Sequence, residues 1–66
     1  MNYAKIETYR QGELVREYFE PLTIESITVA LETEFLEDAE EGDRIRITVV
    51  EMSEEEYQAI AETQGY

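Results

Sequence analysis

Between Thr23 and Asp43 the chain reads TIESITVALETEFLEDAEEGD, and this stretch limits the fold more than any other. Ile24, Ile27, Leu31 and Phe35 recur at steps of three, four and four residues, which places them on one helical face. Thr23 has the chemistry of an N-cap, and Leu22 with Ile27 occupies the positions of a hydrophobic staple. Ile27, Val29 and Leu31 also alternate as a strand would. The stripe continues to Phe35, however, and Leu31 to Glu41 is made largely of good helix formers, which decides for helix. Gly42 supplies the left-handed stop. The spacing therefore predicts one amphipathic helix from Thr23 to Asp43, with an outer surface rich in carboxylates.

The flanks read as strands. From Tyr3 to Tyr9 the chain alternates, with Tyr3, Lys5, Glu7 and Tyr9 on one face and Ala4, Ile6 and Thr8 on the other. Gln11-Gly12 is a turn signal, and Glu13 to Phe19 returns as the second strand. A two-residue loop sets Tyr9 opposite Leu14 and Glu7 opposite Arg16. Pro21 ends the hairpin because it has no N–H to donate. Arg44 to Glu51 is a third strand, with Ile45, Ile47 and Val49 on one side. Ser53 and Glu56 form a capping box and Met52 with Tyr57 a second staple, so a second helix follows, with Tyr57, Ile60 and Ala61 as its apolar face. Gly65 is expected to stop it and Tyr66 to fold back. The expected fold is α+β: a single domain over residues 1–66 in ββαβα order. A right-handed crossover gives a three-stranded antiparallel sheet of order 2-1-3, with the two helices on one face.

The chain has 66 residues and no cysteine, so disulfides and thiolate metal sites are excluded. It has no histidine, no nucleophile elbow and no glycine-rich phosphate loop, so no enzymatic activity and no cofactor is expected. The run Glu37 to Asp43 does not follow a calcium-loop pattern, and no metal is expected. The N-terminal MNYAKIETYRQ lacks the apolar run of a signal peptide, which points to the cytoplasm.

The net charge is −12, and it is unevenly placed. Residues 1–31 hold five acids against three bases; residues 32–66 hold twelve against two. Such a field argues against direct binding to nucleic acid or an anionic membrane and favours a basic protein partner. Glu34, Glu37, Asp38 and Glu41 are expected to form one helical row, and Glu25 with Glu32 a second. Rows of this kind space carboxylates by about 5–6 Å, comparable to successive phosphates of a nucleic-acid strand. Like charges at this spacing destabilise a helix by a few tenths of a kcal/mol per pair, yet no lysine or arginine lies between Thr23 and Asp43. The expected partner-binding set is Glu32, Glu34, Glu37, Asp38, Glu40, Glu41, Asp43, Glu51, Glu54, Glu55 and Glu56, facing a nucleic-acid-binding subunit. A second surface is the sheet face bearing Tyr3, Tyr9 and Tyr18 with Lys5, Arg16, Arg44 and Arg46. Its aromatics and bases are the ingredients of a single-stranded RNA platform, but Glu7 shares the face and the net charge repels phosphate. That face, or an apolar seam of Val29 and Leu36, suits instead a structural or adaptor module, possible as a weak homodimer.

Small size, a cysteine-free α+β domain and the acidic stretches LETEFLEDAEEGD and VVEMSEEEYQAI together resemble the small acidic anti-defence proteins of phages, above all anti-CRISPR proteins that act as DNA mimics. The resemblance is one of type and transfers no binding residue. It implies a Cas subunit with a basic DNA-binding groove as partner, the host cell cytoplasm as location, and steric and electrostatic occlusion as mechanism.

Overall fold

The computed structural model describes residues 1–63; Gly65 and Tyr66, expected to end the last helix, lie outside them. The elements run β1 (Asn2–Arg10), β2 (Glu13–Pro21), α1 (Ile24–Leu31) continued by a π-helical turn (Glu32–Leu36), β3 (Arg44–Glu51) and α2 (Glu54–Thr63). The sheet is antiparallel in the order β2-β1-β3, so the α+β class, the ββαβα order and the 2-1-3 topology are as the sequence predicts.

Gln11 and Gly12 turn the hairpin with φ of 52° and 87°, the two positive values a type I′ turn requires. Tyr9 faces Leu14 as expected, but Glu7 faces Glu17 rather than Arg16, which lies opposite Thr8. The register slips by one residue between Thr8 and Tyr9, which leaves Val15 as the extra residue of a β-bulge. The slip has an energetic reason. Without it Glu17 would stand beside Ile6 on the core face; with it Tyr18 takes that place. Tyr18 is therefore buried against Ala4, Ile6 and Ala30, not displayed beside Tyr3 and Tyr9.

Thr23 caps α1 as expected, its Oγ1 accepting the Ser26 N–H at 3.0 Å. The apolar stripe is rotated from its expected position. Ala30 is the buried residue, with Ile27 packed beside it, whereas Ile24 is 87% exposed. A small residue at the contact lets the helix settle close onto Ala4 and Ile6.

The predicted helix to Asp43 does not form. After Leu31 the helix widens into the π-helical turn, where Thr33 Oγ1 donates to the Val29 carbonyl at 2.7 Å, and it ends by Leu36. Carboxylates placed at a helix C-terminus meet the negative end of the dipole, and here no base offsets them. Residues 37–43 are a loop, and Gly42 (φ 93°) turns the chain into β3 rather than ending a helix.

The two helices lie on opposite faces of the sheet, not on one. Residues adjacent in a strand point to opposite sides. Ala4 and Ile6 meet α1, while Tyr3 stacks on Tyr57 of α2, the rings 4.3 Å apart and 11° from parallel. The crossover rule fixes α1 between two strands, but among the described residues α2 does not connect two strands and is not so constrained. Ser53 caps its start, with the Glu56 N–H donating to Ser53 Oγ at 3.1 Å and Ser53 Oγ donating to Glu56 Oε1 at 3.3 Å.

Thr8 sits in the core with an Oγ1 that has no hydrogen-bond partner among the described residues. Valine has the same shape without the hydroxyl. Thr8→Val is therefore expected to stabilise the fold by about 1 kcal/mol, raising Tm by roughly 4–8 °C in a thermal melt.

Candidate functional site

The five bases determine which carboxylates are left facing outward. Lys5 pairs with Glu17 at 3.4 Å, Arg10 with Asp43 at 3.0 Å, and Arg46 with Glu7 at 4.0 Å. Arg16 pairs with Glu34 and also lies 4.9 Å over the Tyr18 ring. Arg44 sits 5.0 Å over the Tyr9 ring. Every base is thus engaged with a neighbour inside the molecule, strand to strand or strand to the segment after α1. Among the described residues, no ion pair reaches Glu25, Glu32, Glu37, Asp38, Glu40, Glu41, Glu51, Glu54, Glu55 or Glu56, and all are exposed.

Asp43 has a different role from the one its sequence position suggests. Its side chain is only 3% exposed. One oxygen, Oδ2, accepts both from Arg10 Nη1 and from the Glu40 N–H, each at 3.0 Å. Arg10 Nη1 also donates to the Asp38 carbonyl at 2.8 Å, and the Asp43 N–H donates to the Glu40 carbonyl at 3.0 Å. These bonds fold residues 38–43 into a fixed loop that holds Glu37, Asp38, Glu40 and Glu41 outward. Asp43 and Glu34 therefore build the surface rather than belong to it. The sequence does not mark Arg10, and it places Arg16 on the tyrosine face, whereas Arg16 lies opposite Thr8 on the α1 side of the sheet and pairs with Glu34. Arg10 is 33 residues from Asp43, and its own cross-strand neighbour is Glu13, so no local signal marks its role.

Replacing Asp43 by Ala removes both side-chain contacts of this loop at once, those to Arg10 and to the Glu40 N–H. The expected loss is about 2 kcal/mol, because Arg10 is partly hydrated and recovers some of its interaction from water. Faster hydrogen exchange at the Glu40 and Asp43 amides would check it.

The acidic residues do not form one continuous patch. The loop at 37–43 adjoins the hairpin end of the sheet, where Arg44 faces Tyr9. Glu51 faces Asn2, and the Met52 N–H donates to the Met1 carbonyl at 3.1 Å, so Glu54, Glu55 and Glu56 stand at the opposite end. The two poles are about 23 Å apart along β3 at roughly 3.3 Å per residue. Glu25 and Glu32 are exposed, two turns apart on α1 and its continuation. The row of Glu34, Glu37, Asp38 and Glu41 expected on a single helix does not exist, since that helix has already ended.

The tyrosine face is also not an open platform: α2 covers Tyr3, and Tyr18 is on the other side. What stays uncovered there is Tyr9 with Arg44 and Arg46. Among the described residues no helix is long and apolar enough to cross a membrane, and no group of acidic side chains has metal-site geometry. Comparison with protein families, with characterised proteins and with solved structures finds no match to this chain.

Proposed function

We propose that this chain is a non-enzymatic inhibitory binding protein that presents its carboxylates to a basic, nucleic-acid-binding groove of a partner. In its specific form the reading is anti-CRISPR-like: the groove belongs to a Cas effector subunit, and target DNA binding is blocked. The observation that carries it is the division of charge. Four of the five bases pair with carboxylates of the same molecule and Arg44 lies over Tyr9, while the acids of the 37–43 loop are held outward by the Arg10–Asp43 clasp. A held charge array loses little entropy on docking, which favours electrostatic recognition. The two poles, about 23 Å apart, span the axial rise of roughly seven steps of a nucleic-acid strand. The protein acts in the cytoplasm, that of the host cell if it is phage-encoded.

The test mixes the protein with candidate CRISPR effector complexes and reads target double-stranded DNA binding by gel shift at physiological and high salt. Loss of the DNA complex that is relieved by salt supports occlusion; DNA binding that persists with every effector removes the inhibitor reading for those systems.

A second reading is an adaptor or homodimer. It is favoured by Val29 and Leu36, which are 57% and 61% exposed and are not covered by α2. It requires concentration-dependent association in sedimentation velocity that Leu36→Asp abolishes; a monomer at high concentration counts against its homodimer form.

A further inference from the structure

The two edges of the sheet are built differently. At the β2 edge, the bulge at Val15 and the terminal Pro21 interrupt the ladder, both of which discourage a further strand. The β3 edge has neither device. Arg44 to Glu51 pairs with β1 in unbroken register over eight residues, with no proline, and among the described residues no strand lies on its outer side. Ile47 and Val49 of this strand are 37% and 57% exposed, whereas Ile45, at its other end, packs against the core that Ala30 of α1 covers. A long, regular edge with exposed aliphatic side chains is a template for one more strand.

The charge around this edge selects the occupant. Its two ends abut the acidic poles, Glu37 to Glu41 at the Arg44 end and Glu54 to Glu56 at the Glu51 end, while the strand's own Arg44 and Arg46 are turned to the face away from Ile47 and Val49, over Tyr9 and against Glu7. A second copy pairing antiparallel through β3 would bring the loop pole of each chain beside the α2 pole of the other, acid against acid on both sides. An extended segment with lysines or arginines at its two ends meets an acidic pole at each end instead. We infer that the β3 edge binds an extended, basic segment of a partner protein by strand addition, with Ile47 and Val49 packing its apolar side chains and the two acidic poles holding its basic ends. The inference rests on the partner being basic, as proposed above, and adds how it is held.

The test uses the full chain, isotopically labelled, and two short synthetic peptides. One has a pair of lysines at each end of an alternating valine–threonine run. The other has the same charge with proline at every position of the run, so no residue of the run can donate to a ladder. The first peptide is expected to shift and protect amides of Arg44 to Glu51, and the proline peptide to bind at least about tenfold more weakly. Val49→Glu, and separately Ile47→Glu, are expected to weaken the first peptide by about tenfold although each adds a negative charge that pure electrostatics would reward. Equal binding of the two peptides overturns the inference. So do tighter binding by the glutamate variants, amide shifts confined to the acidic poles, or self-association of the chain through β3. The two proposals fail separately. If reversal of Glu37, Glu40 and Glu41 abolishes effector binding while Val49→Glu leaves it unchanged, strand addition is wrong and the acidic-surface reading stands. If the first peptide binds through β3 but no effector loses DNA binding, the function is wrong and the edge remains a binding site.

Discussion

The triple variant Glu37→Lys, Glu40→Lys and Glu41→Lys is expected to lose partner binding by about a hundredfold or more while keeping its fold. Each of these carboxylates projects from the loop and none forms an ion pair among the described residues, so the interior has little to lose. At the interface each reversal removes an attraction of up to about 1 kcal/mol and replaces it with a repulsion. Three together amount to roughly 3–5 kcal/mol, which is two to three and a half decades in Kd. Circular dichroism should be unchanged, and the melting temperature should rise slightly, because the reversal lowers the repulsion within a chain of net charge −12. Glu34→Lys is a poor choice for the same test. It would break the pair with Arg16 and place two cations together, so a loss of binding could not be told from a damaged fold.

Ile6→Ala is expected to have the largest effect on stability. Ile6 is fully buried at the centre of the middle strand, flanked by Tyr18 on β2 and Ile47 on β3. Truncating it should cost about 2–5 kcal/mol. A domain of this size has roughly 3–10 kcal/mol in all, so the variant should be largely unfolded at physiological temperature. Ile24→Ala is the matched control. The periodicity of the sequence places Ile24 on the buried stripe, but its 87% exposure predicts a change within about 0.5 kcal/mol. Thermal melts of the two variants side by side separate the observed core from the one that spacing alone suggests.

That contrast also shows where the sequence is informative. Features set by near neighbours are legible: the Gln11-Gly12 turn, the Thr23 and Ser53 caps, the three strands and their order. Features set by distant residues are not. Leu14 and Val15 are both apolar, so either could begin the second strand's pattern, and only the choice between Glu17 and Tyr18 beside Ile6 fixes the bulge. Glutamate is a good helix former in isolation, so LETEFLEDAEE reads as helix. Its summed repulsion and the Arg10 clasp, which lies far away in sequence, decide otherwise. The acidic character of the surface is legible from composition. Its division into two poles is not, because that depends on which end of β3 each run occupies. Tyr57 reads correctly as an apolar contact of α2, but nothing local says that its partner is Tyr3 on the far face.

On the proposed function, the acidic poles and nucleic acid compete for one basic site. The most direct measurement is the affinity of the chain for an effector complex, with and without target DNA already bound, across a range of salt concentrations. Tight binding to the DNA-free effector that weakens steadily as salt rises, and no binding to the DNA-loaded one, is the expected result. A ternary complex of effector, DNA and this chain, or an affinity indifferent to salt, would contradict it.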